Sequence, residues 1–254
     1  MVPFSDVVLK SVLDGDLDTV VTALRNKRIS PSSLDDSGCT LLHWASVNNR
    51  ISIATALLDH SAEVNIAGGV RGESPLQWAI RQKYFGMIEM LLSRGADLSF
   101  RSAEGLDAIH LVTRLGNINM LFFLLHHGAD PNSVDGRGDT PISWLIKHRQ
   151  GKTLLRPLRL LLRFGASVSY TDPVTQNNAL HLAVLATDMD YRSALLIHQV
   201  GENTPSLHTL LLILSNDQPS YSTYLSHTPL PHSYTVDLLL YLFIAILLCF
   251  LRRT

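Results

Sequence analysis

This sequence predicts an all-α solenoid of helix-turn-helix units joined by hairpin turns, followed by an irregular tail with a short hydrophobic C-terminal helix. A four-residue phrase recurs as Thr40-Leu41-Leu42-His43, Ser74-Pro75-Leu76-Gln77, Asp107-Ala108-Ile109-His110, Thr140-Pro141-Ile142-Ser143 and Asn178-Ala179-Leu180-His181, with starts 34, 33, 33 and 38 residues apart. A second phrase keeps step with it: Ser61-Ala62, Gly95-Ala96-Asp97, Gly128-Ala129-Asp130 and Gly165-Ala166. Just before each of these stands a leucine pair, Leu57-Leu58, Leu91-Leu92, Leu124-Leu125 and Leu161-Leu162. Units that repeat at this period bury their apolar faces only by stacking on one another. One elongated domain is therefore expected rather than two globular ones.

In chain order, Phe4 to Ser33 reads as a degenerate end unit, with Val7, Val8, Val12 and Leu13 on one helix and Val20, Val21 and Leu24 on the next. In each full unit the phrase starts a helix. Thr40 and Thr140 supply a capping hydroxyl, and Pro75 and Pro141 suit a first turn, where a missing N–H costs nothing. A second helix carries the leucine pair on its buried face. Gly95, Gly128 and Gly165 end it, because glycine tolerates the left-handed residue past a helix end. Asp36-Ser37-Gly38, Gly68-Gly69 and Asp135-Gly136-Arg137-Gly138 turn the chain back toward the next start. This is the period and layout of ankyrin units.

The unit that starts at Thr140 is four or five residues too long, and the surplus around Lys147 to Pro157 is expected as an extended inter-helix loop. After the fifth start the pattern decays: Leu195 and Leu196 fill the leucine slots, but Gln199-Val200 stands where Gly-Ala belongs. The repeat domain is thus expected over 4–200, about six units with the first and last degenerate. Over 201–235 the composition shifts to Leu, Ser, Thr, Pro and His, and four prolines argue for a linker or disordered segment. Over 236–254 lies a hydrophobic tail. Its run Leu238 to Leu251 has 14 residues, about 21 Å as a helix against roughly 30 Å of bilayer hydrocarbon. Asp237 stops it lengthening backwards, and Arg252-Arg253 would favour a cytosolic C-terminus. A membrane segment and an interfacial or merely hydrophobic tail both remain open.

The formal net charge of −1 gives no electrostatic case for nucleic acid. Cys39 and Cys249 lie far apart, which suits a reducing compartment and no disulfide framework. The opening Met1-Val2-Pro3-Phe4-Ser5-Asp6 lacks the basic start and apolar run of a secretory signal. His43, His110 and His181 recur at the phrase with no cysteine or carboxylate set beside them, so they read as structural residues between adjacent turns rather than metal ligands or general bases. Gly136-Arg137-Gly138 lacks the strand and helix of a nucleotide loop. No catalytic residue, metal or cofactor is expected.

Trp44, Trp78 and Trp144 occupy one slot, directly after the phrase. They suit either an aromatic ladder for a peptide or inter-repeat packing. Asn48 lies one helical turn after Trp44 and would project beside Trp78, where its amide could pair with a peptide backbone. An exposed helix-end asparagine is the plainer reading. Between Asp139 and Asp172 there is no acidic residue. Within that stretch Arg156, Arg159 and Arg163 share a helical face, either as a solvated surface or as a basic patch for anionic headgroups or an acidic partner.

The stretch from Thr40 to Ile51, together with Ser74 to Gln82 and Asn178 to Ala186, resembles the ankyrin units of the DHHC palmitoyltransferases that carry N-terminal ankyrin repeats, the huntingtin-interacting type. The likeness covers roughly residues 5 to 197, the overlong unit included. It implies a cytosol-facing domain that recruits substrate and adaptor proteins by holding a short extended peptide, while a separate membrane-embedded cysteine-rich segment transfers the acyl group. The family's peptide-gripping asparagine and tryptophan match Asn48 and Trp78, which with Trp44 form the expected peptide site. The departure is equally plain: this sequence has no Asp-His-His-Cys and no cysteine cluster for structural zinc. The tail beyond Gly201 is unlike the family, as a truncated isoform, an incomplete gene assignment or a diverged paralogue would be. The expected function is a protein-interaction module on the cytosolic face of an endomembrane such as the Golgi, or in the cytoplasm if the tail does not insert. A fragment of a full palmitoyltransferase and a general adaptor unrelated to acylation are the alternatives.

Overall fold

Each recurring phrase opens a helix because its first side chain caps it. Thr40, Ser74, Asp107 and Thr140 accept hydrogen bonds from the backbone N–H of His43, Gln77, His110 and Ser143 at 3.4, 3.3, 3.1 and 3.2 Å. The computed structural model describes residues 6–148, 152–171, 177–179 and 182. Among them are ten α-helices: α1 (Asp6–Asp14), α2 (Leu17–Arg25), α3 (Leu41–Val47), α4 (Ile51–Asp59), α5 (Pro75–Gln82), α6 (Phe85–Ser93), α7 (Ala108–Leu115), α8 (Ile118–His126), α9 (Pro141–His148) and α10 (Lys152–Arg163). Extended pairing among the described residues is limited to two isolated antiparallel bridges, Leu34 with Thr40 and Gly68 with Glu73.

The helices stack in two rows. The first helix of each unit packs on the first helix of the next, α1 on α3, α3 on α5, α5 on α7 and α7 on α9. The second helices form an outer row, with α2 on α4, α4 on α6 and α8 on α10. One continuous apolar core runs between the rows. The first leucine of every pair (Leu57, Leu91, Leu124 and Leu161) is fully buried, and each contributes roughly 2 kcal/mol of transfer free energy.

The fourth residue of the phrase joins one unit to the next. His43 Nδ1 accepts the Thr40 backbone N–H at 3.1 Å, so its proton sits on Nε2, which donates to the Glu73 carbonyl of the following hairpin at 3.0 Å. Gln77 does the same with an amide: Oε1 accepts from Ser74 N–H and Nε2 donates to Leu106 O at 2.7 Å. His110 Nε2 reaches Asp139 O at 3.0 Å while its Nδ1 faces the Asp107 carboxylate at 2.8 Å. Burial by itself would push the Asp107 carboxyl up, but hydrogen bonds from His110 and Ser133 and the pull of His110 hold it below the usual carboxylate value. Gly68 must be a glycine here, because a Cβ would meet the His43 ring at 2.5 Å.

Val7, Val8, Val12 and Leu13 share α1 as expected; its buried face is set by Val8, Ser11 and Val12 at i, i+3 and i+4, and Val7 (68% exposed) and Leu13 lie off it. Two expectations need correction. The surplus of the Thr140 unit is not an extended loop over Lys147 to Pro157. Lys147 belongs to α9, and α10 starts at Lys152, giving twelve residues where α8 has nine. Four extra residues are about one helical turn, so the insertion lengthens the helix and leaves its buried face in register. The expected ladder of three tryptophans is interrupted as well, because its slot in the third full unit holds the buried Leu111.

Of the fifth phrase Asn178 and Ala179 are described, and Ala179 and the following Leu182 are buried. His181, Leu195, Leu196, the expected boundary at 200, the linker over 201–235 and the tail over 236–254 lie outside the described residues. Among the described residues no helix is long and apolar enough to cross a membrane.

The shared positions set the outcome of three substitutions. Burial first of all keeps the His43 pKa below its ordinary value. Above pH about 6.5 folded and unfolded chains both hold it neutral; below that the unfolded chain binds a proton the folded one refuses, and stability falls until the folded pKa is reached. His43→Gln copies the arrangement at Gln77, so urea unfolding should show a cost of about 1 kcal/mol or less at pH 7.5 and a shallower loss than the native chain between pH 7 and pH 5. Ser61 holds φ +66° where the later units place Gly95 and Gly128, at +84° and +89°. Ser61→Gly should raise stability by about 0.5–1 kcal/mol in the same assay, and Gly128→Ala should lower it by about 1 kcal/mol.

Candidate peptide-binding cleft

In three units the hairpin that precedes the phrase is closed five residues before the phrase starts, and in the unit that carries Trp78 it is one residue longer and closes through Gly68 and Glu73. Asp35 and Asp135 fill this slot in their units, and each Oδ1 accepts two backbone N–H groups of its own turn. Ser102 does so once through its hydroxyl. In the unit that carries Trp78 the slot is Gly69, at φ +68°.

The difference decides what the tryptophans can do. Trp44 donates its indole N–H to Asp35 Oδ2 at 2.8 Å, so its polar edge is already engaged. Trp78 meets Trp44 edge to face at 5.7 Å between centroids and the His43 ring at 5.1 Å. No aspartate stands beside it, and its half-buried indole N–H has no hydrogen-bond partner among the described residues. Trp144 lies apart, stacked on His148 at 4.7 Å with the Arg114 guanidinium 5.8 Å from its centroid. The structure thus brings Trp44 and Trp78 together and leaves Trp144 out.

Trp78 lines a cleft of about 250 Å³ with Val47, Gly69, Val70, Arg71 and Gln82. Val70 is fully exposed at the hairpin tip. The cleft's other charges are engaged with each other: Arg81 Nε lies 3.0 and 2.9 Å from the two oxygens of the buried Glu73 carboxylate. The slots of this pair are one residue before and seven after the phrase start, and Asp139 pairs with Lys147 in the same two positions. That regularity is visible in the sequence, and reading the two slots together would have found it. Lining up the turn slot would likewise have singled out Gly69.

Asn48 is half-buried at the C-cap of α3, and its Nδ2 donates to the Trp44 carbonyl at 2.8 Å. It does not line the cleft; its neighbour Val47 does. Its Oδ1 keeps no partner among the described residues, so an incoming N–H can still be accepted there. Cys39 lies behind Gly69 and is buried; burial first, then the Asp35 charge, push its thiol up to about 11, which leaves no thiolate for chemistry at neutral pH.

On the outer row, Arg156, Arg159 and Arg163 are all exposed along α10. They line a groove of about 580 Å³ with Ile118 and Phe122 of α8.

Known proteins are similar along most of the described chain. A family model described as ankyrin repeats in three copies matches residues 9–102, and one described as a single ankyrin repeat matches 104–136. The putative palmitoyltransferase ZDHHC13 of Danio rerio is 35% identical over 156 residues, which cover 61% of this chain and 24% of that protein. Palmitoyltransferase Hip14 of Drosophila melanogaster is 36% identical over 163 residues, 64% of this chain and 25% of that one. Human palmitoyltransferase ZDHHC17 is 38% identical over 169 residues, 66% and 26%. The chain therefore spans about a quarter of the length of these relatives. A crystal structure of an ankyrin repeat domain from Acinetobacter baumannii shares the fold with a TM-score of 0.65 at 24% identity, covering 76% of this chain and 97% of that one.

Proposed function

This chain belongs to the ankyrin-repeat family, and on that premise we propose that it is a protein-interaction module that holds a short extended peptide at the Trp78 cleft. The observation that carries this reading is the departure at Gly69, which leaves Trp78 beside an open cleft with an unengaged indole N–H. A peptide would lay an apolar side chain against Trp78 and Val70. Its backbone would take the indole N–H and donate to Asn48 Oδ1. Burying one apolar side chain in such a site gives roughly 2 kcal/mol, and well-oriented hydrogen bonds add specificity. Trp44 acts from behind by holding Trp78 upright. The similarity to palmitoyltransferases supports partners of the kind those enzymes recruit, at the cytosolic face of an endomembrane such as the Golgi.

A second reading is that the chain is the front part of a longer palmitoyltransferase, favoured by its alignment to about a quarter of each relative. Transcript sequencing across the Gly201 codon separates the two: a continuing cysteine-rich reading frame supports the enzyme, and a stop after Thr254 supports the adaptor. A general adaptor unrelated to acylation would fail to bind substrate-type peptides of the palmitoyltransferases.

Isothermal titration with a panel of such peptides tests the site. Trp78→Ala should weaken binding by roughly tenfold or more, about 1.4 kcal/mol, with far-UV circular dichroism unchanged. Trp78→Phe should recover part of that, the share due to apolar cover. A variant that binds as well as the native chain, or one that loses its helicity, would place Trp78 in the core role instead.

A further inference from the structure

We propose that the groove between α8 and α10 is a second docking site, which takes an acidic segment of a partner protein carrying a tyrosine side chain. It shares no residue with the Trp78 cleft and does not rest on it.

The site arises from the lengthened unit. In the other full units the first leucine of the pair falls 17 residues after the phrase start, and here Leu161 falls 21 after Thr140. The added turn keeps Leu158 and Leu161 in the core. It also carries the start of α10 past the N-terminus of α8, which Asn117 caps. Beside that overhang lies a cavity of about 470 Å³ walled by Val112, Leu121, Leu145 and Pro157.

Two features of the cavity call for a ligand. Thr113 lines it and is 2% exposed. Its Oγ1 is the one buried side-chain polar atom among the described residues that has no hydrogen-bond partner, a condition native proteins rarely leave unmet. At the other end Ile118 and Arg156 line both this cavity and the outer groove, so the two adjoin. Along the groove Arg156, Arg159 and Arg163 follow at spacings of three and four, and none forms an ion pair among the described residues. Phe122, 44% exposed, offers an apolar surface between them.

The chemistry selects the occupant. Three guanidiniums without a neighbouring carboxylate favour an anion and can grip carboxylates bidentately. A recessed apolar cavity admits a side chain, whereas a flat layer of lipid headgroups would meet only the arginines. The Thr113 hydroxyl at the inner end then pairs with a polar tip on the inserted side chain, as a tyrosine carries. An acidic stretch with a tyrosine satisfies all of these at once.

Fluorescence anisotropy of a labelled peptide alternating glutamate and tyrosine, titrated with the full chain, tests the proposal. Saturable binding should weaken by roughly tenfold or more in the doubly substituted Arg156→Glu, Arg159→Glu chain, fall in Thr113→Val, and stay unchanged in Trp78→Ala. Both arginines are exposed, and thermal melts check that each variant folds. No saturable binding, or binding indifferent to the arginine reversals, overturns the proposal. Binding lost in Trp78→Ala assigns the peptide to the other cleft, and an unchanged Thr113→Val removes the cavity from the site. Arginine-dependent sedimentation with phosphatidylserine vesicles in the absence of peptide binding would make the groove a membrane contact and overturn it too.

Discussion

The stack depends on a hydrogen bond that three successive units send across to the next. His43, Gln77 and His110 occupy the same place, and each donates to the carbonyl just before the following phrase, at 3.0, 2.7 and 3.0 Å. Imidazole and carboxamide both present a donor that projects across the gap. These groups are buried, so leaving one unpaired would cost about 1–3 kcal/mol. The bond therefore sets how one hairpin sits over its neighbour, and the two helix rows and the core between them take their spacing from it. At Ser143 the hydroxyl pairs with Thr140 Oγ1 at 3.0 Å. A serine is too short to cross the gap as the imidazoles and Gln77 do.

The positions that repeat hold the stack, and the positions that break the repeat make places for ligands. Gly69 stands where other units put an aspartate or serine, and the result is a tryptophan whose polar edge faces outward. Of the four residues added before Leu161, three extend α10 by most of a helical turn with no counterpart in the neighbouring unit, and a cavity opens beneath it. Both departures cost the fold little. Glycine suits the left-handed conformation at 69, and four added residues, about one turn, keep the buried face of α10 in phase.

Much of this was readable from the chain alone. The period, the caps at Thr40 and Thr140, the helix-ending glycines and the structural role of the phrase histidines all come from residues whose local chemistry permits one arrangement. The rest has physical reasons. Apolar character alone does not say which side of a helix faces in, so which of Val7, Val8, Val12 and Leu13 are buried comes from the packing of α1. The surplus near Lys147 reads as a loop because Pro157 discourages a helix interior, yet only one backbone donor is lost there and the amphipathic face around it is strong enough to keep the helix. The tryptophan slot reads as a ladder only until Leu111 is set in it. The lining of the cleft omits Asn48, whose Nδ2 turns back onto the Trp44 carbonyl while its Oδ1 stays open. Gly69 was read as a turn residue and nothing more, since its meaning lies in a comparison with Asp35 and Asp135.

Hydrogen–deuterium exchange on the full chain, with and without peptides selected from a random library, tests most directly the claim that ligands seat where the repeat departs from itself. The account predicts slowed exchange concentrated at 68–71 and 78–82, with 113–121 and 153–163 added for acidic peptides, and little change at the shared positions of α4 and α6. Protection spread evenly along the inner row, or found chiefly on α4 and α6, would contradict it.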